Sequence, residues 1–216
     1  MEKLKDVIDA VVAGNIAETK DAVSQLLDKG VPPGDVIDKG LVAGLDVVGE
    51  QFGSGEMFLP EMILSAVAVR EGIAIATKGM KKGQYKPKAT MVLGTVKGDL
   101  HDIGKDLVAL FLRSRGFEVI DLGIDIPDEQ FVSAVREHKP ELLGMSCLMT
   151  TTMMAMKDVI NALTKAGLRD KVKVIIGGCP VTQEFASQIG ADYYGRDAGS
   201  SAIMLEKSLA DIKGKK

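Results

Sequence analysis

Tryptophan is absent from this 216-residue chain, and Phe and Tyr together supply an aromatic share of only 4%. With 46% of residues hydrophobic and 11 methionines, any core must be aliphatic and methionine-rich. Cysteine is almost as scarce. Cys147 and Cys179 lack zinc-like spacing and are too few for a disulfide framework, so reduced, buried thiols in a cytoplasmic protein are expected. Neither sign of charge dominates. A net charge of -3 and a pI near 5.5 provide no strong attraction to phosphate backbones or anionic lipids, which argues against nucleic acid and membrane surfaces as partners. Long apolar runs are missing as well: the richest, "MILSAVAV" at 62–69, is far too short to span a bilayer.

What is present falls into two patterns. From residue 2 to about 79, apolar positions recur at helical spacing, as in Leu4, Val7, Ile8, Val11 and Val12, with no period-two segment. Breaks fall at Gly14–Asn15, at "KGVPPGD" (29–35) and at "FGSGEMFLPE" (52–61), where Pro60 suits a first turn. Four helices forming a small bundle follow. Residues 78–88, "KGMKKGQYKPK", are basic and proline-terminated, and beyond them strands alternate with helices. The boundary predicts a helical domain over 1–86 and an α/β domain over 87–216. Strands are expected in "ATMVLGT" (89–95), "FEVIDLG" (117–123), "ELLGMSC" (141–147), "KVKVIIGG" (171–178) and "DYYG" (192–195). Between the first two, Ile103, Leu107, Leu110 and Phe111 form one apolar helix face. The next helix opens at Pro127, Asp128 and Glu129 and stops at Pro140. Five strands in such alternation predict a parallel, flavodoxin-like (Rossmann-like) sheet.

Ligands of open parallel sheets bind beyond the carboxyl ends of strands, near the point where strand order reverses. Those ends read "GTVKGDLHDIG", "SCLMTTT" and "GGCPVT", three clusters of small and polar residues. A Walker phosphate loop does not fit, because five residues separate Gly98 from Gly104 and Asp106 stands where Ser or Thr should hold magnesium. The dinucleotide fingerprint G-x-G-x-x-G is missing from this turn, and Gly177–Gly178 alone are equally well explained by tight packing. A zinc site would need several converging ligands, and only one of the two histidines, His101, is in these clusters. A hydrolase triad of Ser146, His101 and Asp99 lacks a nucleophile elbow. His138, in the last turn of its helix, reads as an exposed, dipole-favoured residue. A metal that arrives with its other ligands attached needs only one histidine, and Asp99 can fix that imidazole through its other nitrogen. Met149, Met153, Met154 and Met156 read as adaptable packing rather than sulfur ligands.

The D-x-H-x-x-G pattern of Asp99, His101 and Gly104, followed by S-x-L at Ser146 and Leu148 and by Gly177–Gly178, resembles the cobalamin-binding signature. "FGSGEMFLPEMILSA" (52–66) resembles the cap segment of methionine synthase and of the small corrinoid proteins of methanol, methylamine and betaine methyltransferase systems. The resemblance spans nearly the whole chain. It implies that cobalamin or a related corrinoid is the cofactor, methylcobalamin in the loaded state, with His101 as the lower axial ligand of cobalt. It implies a relay through Asp99 to a hydroxyl, here Thr152 where methionine synthase has serine. Ser146, Leu148, Thr150, Gly104, Gly177 and Gly178 would hold the displaced nucleotide tail, and Phe52 and Leu59 would cover the upper face. Without the second domain the last two would read as bundle core; beside it, the need to exclude water from a reactive centre favours the cap.

The same resemblance implies a non-catalytic corrinoid subunit rather than a stand-alone enzyme. Cobalt(I) would accept a methyl group from a substrate-specific methyltransferase and deliver it to a second methyltransferase of the tetrahydrofolate or coenzyme M type, with a reductive activation protein as a third partner. A cobalamin-binding sensor or storage protein and an isomerase small subunit are the alternatives. A DNA-binding sensor fits poorly, since residues 1–79 hold 13 acidic and 7 basic residues. Residues 78–88 are the expected hinge between cap and binding domain.

Overall fold

A computed structural model describes residues 2–78 and 87–213. Contacts divide the chain into two compact units, Met1–Lys86 with Arg113–Arg115, and Pro87–Leu112 with Gly116–Lys216. The expected hinge falls almost entirely on 79–86, outside the described residues.

The first unit is helical. Helices α1 (Glu2–Val12) and α2 (Ile16–Asp28) are separated by Asn15, whose side-chain oxygen accepts from the Glu18 N–H at 3.2 Å and caps α2. A third helical stretch runs from α3 (Pro33–Val36) through a π-helical turn (Ile37–Val42) into α4 (Ala43–Ser54), which ends on Gly55 at φ +81°. Then α5 (Leu59–Thr77) starts with Pro60 in its first turn and the Glu61 carboxylate accepting from the Phe58 N–H at 2.8 Å. The four expected helical stretches are therefore there, the third carrying a π turn that apolar periodicity alone does not reveal. Val7, Val11, Val23, Leu41, Leu45, Met62 and Val69 are buried, an aliphatic core as composition demands.

The second unit alternates strand and helix: β1 (Thr90–Thr95), α6 (Ile103–Ser114), β2 (Glu118–Asp121), α7 (Asp128–His138), β3 (Leu142–Ser146), α8 (Met153–Lys165), β4 (Lys173–Gly177), α9 (Gln183–Ile189), β5 (Tyr193–Gly195), α10 (Ala198–Lys207) and α11 (Leu209–Lys213). All five strands are parallel in the order β2-β1-β3-β4-β5. The order reverses between β1 and β3, so the ends of those two strands form the switch point. Val92, Leu143, Met145, Val174 and Ile176 from the sheet pack with Phe131, Met156, Val159 and Leu163 from α7 and α8 in a buried core.

Three side chains depart from the sequence reading. Ile103 is exposed, because it opens α6 where the helix emerges from the loop, and the α6 core face begins at Ala109, Phe111 and Leu112. Cys179 is exposed in the turn after β4, while Cys147 is buried. Among the methionines Met156 is buried but Met154 is exposed, so only part of that stripe packs inward.

Candidate functional site

Strand β1 ends at Thr95, and the chain turns through 96–102 before entering α6. The turn is held locally: the Asp99 N–H donates to the Val96 carbonyl at 3.1 Å, and the Thr95 hydroxyl donates to the His101 carbonyl at 2.9 Å. The end of β3 lies alongside, with the Val96 N–H donating to Ser146 O at 3.1 Å. The switch-point topology thus brings "GDLHDIG" against "SCLMTTT".

Asp99 is the hub. Its side chain is fully buried, and each oxygen has its own set of donors. Oδ1 accepts from the His101 ring Nδ1 at 2.7 Å and from the His101 backbone N–H at 3.1 Å. Oδ2 accepts from the backbone N–H of Leu148 at 2.7 Å, that of Met149 at 3.2 Å, and the Thr152 hydroxyl at 3.0 Å. Burial alone would push this carboxyl up, but the His101 ring and the three backbone N–H groups outweigh it and hold Asp99 well below the usual carboxylate range. An ionised carboxylate only accepts, so the contact with His101 requires a proton on Nδ1. In the neutral ring the lone pair is then on Nε2. The His101 side chain is 52% exposed, with no hydrogen bond among the described residues to Nε2. The result is a rigidly oriented imidazole offering one coordinating nitrogen.

Thr152 belongs to a second layer. Its hydroxyl lies 3.0 Å from the Met149 carbonyl and 3.1 Å from Cys147 Sγ, besides Asp99. One hydroxyl proton cannot serve every acceptor. The Cys147 thiol also lies 3.0 Å from Met149 O, and burial pushes its pKa up against the lowering effect of Thr152, which keeps it protonated and able to donate there. That leaves the Thr152 proton for Asp99. Cys147 is a member of the network that sequence reasoning missed, since a cysteine on a strand end looks like any core thiol.

The other residues singled out by sequence are distributed around this hub. Ser146 ends β3 half-buried, Leu148 is 46% exposed, and Thr150 is exposed in the turn before α8. Gly104 is exposed in the first turn of α6, and a Cβ there would meet nothing within 4 Å. Gly177 ends β4, where a Cβ would come 2.9 Å from Gly195 O. Gly178 has φ +127° and a Cβ would collide with Cys147 O at 1.8 Å. Phe52, half-buried on α4, and Leu59, 37% exposed at the start of α5, belong to the helical unit. His138 is exposed at the end of α7.

Lys105, the residue that gave the turn its Walker-like look, is buried and bound to Asp121 and Asp106, each at 2.5 Å. Burial lowers its pKa, but the two carboxylates outweigh that and raise it. Its ammonium is neutralised inside the fold rather than presented to a phosphate. Among the described residues no group of three or more His, Cys, Asp or Glu side chains could hold a metal ion. A single held imidazole therefore fits a metal whose remaining ligands come with it.

A doubly wound sheet presenting one carboxylate-held imidazole at its switch point defines a class, the α/β domains with a single oriented ring nitrogen beyond their strand ends. The chain belongs to the B12-binding corrinoid proteins: a B12 binding domain family matches residues 89–204 and a second B12 binding domain family matches 3–77. It is 43% identical over 192 residues to the trimethylamine corrinoid protein of Methanosarcina barkeri, covering 88% of each chain. Among solved structures, it resembles the methanol:cobalamin methyltransferase complex MtaBC from Methanosarcina barkeri, with a TM-score of 0.82 and 34% identity over 97% of this chain and 80% of that one. It also resembles a cobalamin-binding protein from Desulfitobacterium hafniense, with a TM-score of 0.84 and 32% identity over 94% and 97% of the two chains. Among the described residues no helix is long and apolar enough to cross a membrane.

Proposed function

We propose that this chain is a corrinoid methyl carrier, loaded by a substrate-specific methyltransferase and unloaded by a second methyltransferase of the tetrahydrofolate or coenzyme M type. The observation that carries the reading is His101, with Nδ1 held by Asp99 at 2.7 Å and Nε2 left for a ligand. The trimethylamine name of a 43%-identical relative makes a methylated amine the first donor class to test, and the methyltransferase complex among similar structures supports a methyltransferase partner. A reductive activation protein is a third partner. Two free thiols are consistent with work in the cytoplasm.

When bound, the corrinoid supplies a cobalt centre that can be alkylated and dealkylated. The rest is done by the chain. His101 Nε2 would hold the cobalt. Asp99 fixes the ring's tautomer and orientation and holds the proton on Nδ1, and Thr152 donates to Asp99 and limits how far that proton can move toward it. Ser146, Leu148, Thr150, Gly104, Gly177 and Gly178 line the space for the cofactor's nucleotide tail. Phe52 and Leu59 would keep water from the reactive centre.

The test is the paramagnetic spectrum of the protein reconstituted with hydroxocobalamin and reduced to cobalt(II), beside His101→Ala. Protein nitrogen coupling that disappears in the variant is expected, together with methyl transfer from a methylamine when the matching methyltransferase is added. Identical spectra for the two proteins would remove His101 as the ligand and the carrier reading with it.

A further inference from the structure

The geometry points to Asp125 as a further positioning residue, one that clamps the His101 loop from the neighbouring β2–α7 connection and so sets where His101 Nε2 lies; the inference rests on the carrier reading above. Among the described residues only Asp125 and Lys139 are non-glycine residues at positive φ. Lys139 has an ordinary reason, since it ends α7 as a left-handed cap. Asp125, at φ +54°, caps no helix. What the unusual conformation achieves is two bonds in opposite senses to one short segment. Its Oδ1 accepts from the Gly98 N–H at 2.7 Å, and its own N–H donates to the Asp99 carbonyl at 3.0 Å. Gly98 is itself left-handed at φ +83°, a conformation open to glycine, so the unusual backbone of the pair is that of Asp125 alone.

These bonds bracket the main chain of Asp99, the residue whose carboxylate holds the His101 ring. The next residue extends the grip: the Ile126 N–H donates to Thr95 O at 3.0 Å, and the Thr95 hydroxyl holds the His101 carbonyl at 2.9 Å. Residues 125–126 therefore bond the chain at Thr95, Gly98 and Asp99, and Thr95 extends the hold to His101. Because the 2.7 Å contact fixes the ring to the Asp99 carboxylate, a displacement of this main chain is passed directly to Nε2. Asp125 is exposed, and nothing in the core depends on its side chain. A negatively charged side chain kept at a strained, exposed position without a packing role is explained by what it holds.

Three substitutions separate strain from grip. Asp125→Gly removes the carboxylate and relieves the backbone, Asp125→Ala removes the carboxylate and keeps the strain, and Asp125→Asn keeps an acceptor of the same shape. In the reconstituted cobalt(II) proteins, the ratio of nitrogen-coupled to uncoupled signal should fall about tenfold in Asp125→Gly and Asp125→Ala, the equilibrium equivalent of one hydrogen bond to a charged group. Asp125→Asn should restore it. A wild-type spectrum for Asp125→Gly, or loss in Asp125→Asn as deep as in Asp125→Gly, would overturn the proposal. A variant that fails to fold is bypassed by amide hydrogen exchange on the unaltered protein. There the N–H of exposed Gly98 should exchange at least about tenfold more slowly than a free amide, and free exchange would overturn the clamp. If the unaltered chain takes up no corrinoid, the carrier reading fails instead, and the Gly98 amide measured without cofactor still tests Asp125.

Discussion

Gly104 and Gly178 carry the same sequence expectation, yet they should respond to a single methyl group in opposite ways. At Gly178, φ is +127° and a Cβ would stand 1.8 Å from the Cys147 carbonyl, a backbone atom that cannot rotate aside. The conformation alone costs a residue with a Cβ about 1–3 kcal/mol, and forcing apart the ends of β3 and β4 adds about 1–3 kcal/mol more. Gly178→Ala should thus lose about 2–6 kcal/mol, a large share of the roughly 5–15 kcal/mol that a domain has. At Gly104 the added Cβ meets nothing within 4 Å and lies in a helix, where Gly→Ala gains about 0.5–1 kcal/mol. Urea unfolding of the cofactor-free proteins, followed by circular dichroism, should show a lower midpoint for Gly178→Ala and an equal or higher one for Gly104→Ala. Corrinoid binding should then reverse the ranking of Gly104→Ala and the parent, with affinity reduced about tenfold or more because the methyl occupies space needed by the tail. A parent-like midpoint for Gly178→Ala would refute the backbone argument. Undiminished affinity in Gly104→Ala would refute its place beside the cofactor.

Two further outcomes follow from the Asp99 hub. Thr152→Val keeps the shape and removes one donor to a buried carboxylate, so melting of the apoprotein should report a loss of about 1.5–3 kcal/mol, and a Thr152→Ser protein should recover most of it; equal stability of Val and Ser variants would dismiss the hydroxyl's part. Because the Asp99 carboxyl is held below the usual range in the folded state, its ionisation stabilises the fold above the unfolded carboxylate pKa of about 3.9, and that contribution is lost progressively as pH falls below it toward the folded value. The stability gap between the parent and Asp99→Asn, about 2–3 kcal/mol from buried donors left facing an amide, should shrink as pH falls from about 4 to 2; a gap that instead widened over that range would reverse the assigned sign.

The change at residue 87 from helical to alternating apolar periodicity sufficed to expect helices followed by a parallel sheet, because strand and helix register as different spacings in any chain. The five strands lie within a residue or two of the expected ranges, and Gly116, Pro140 and Pro60 act where local backbone chemistry requires. Ile103 and Cys179 are exposed where the local pattern points inward, because a side chain's burial depends on what lies opposite it, which no local pattern encodes. The D-x-H spacing is short enough for Asp99 to reach His101 within one turn, so the pairing was legible from two residues in the sequence.

What lies across from that pair was not legible in the same way. Thr152, Leu148 and Met149 are about fifty residues away and reach Asp99 only because β3 pairs with β1 at the point where strand order reverses. Cys147 and Asp125 carry no local signal at all: one resembles a core thiol and the other a polar loop residue until parallel pairing sets their hydrogen-bonding partners. The sequence by itself determined the element types, the division at 86/87 as an expectation, and the imidazole with its carboxylate. Tertiary structure decided which nitrogen is free, why Lys105 is not a phosphate ligand, and which glycine has no room for a Cβ. Local spacing governs contacts within one turn, whereas contacts between strand ends exist only once the sheet has assembled.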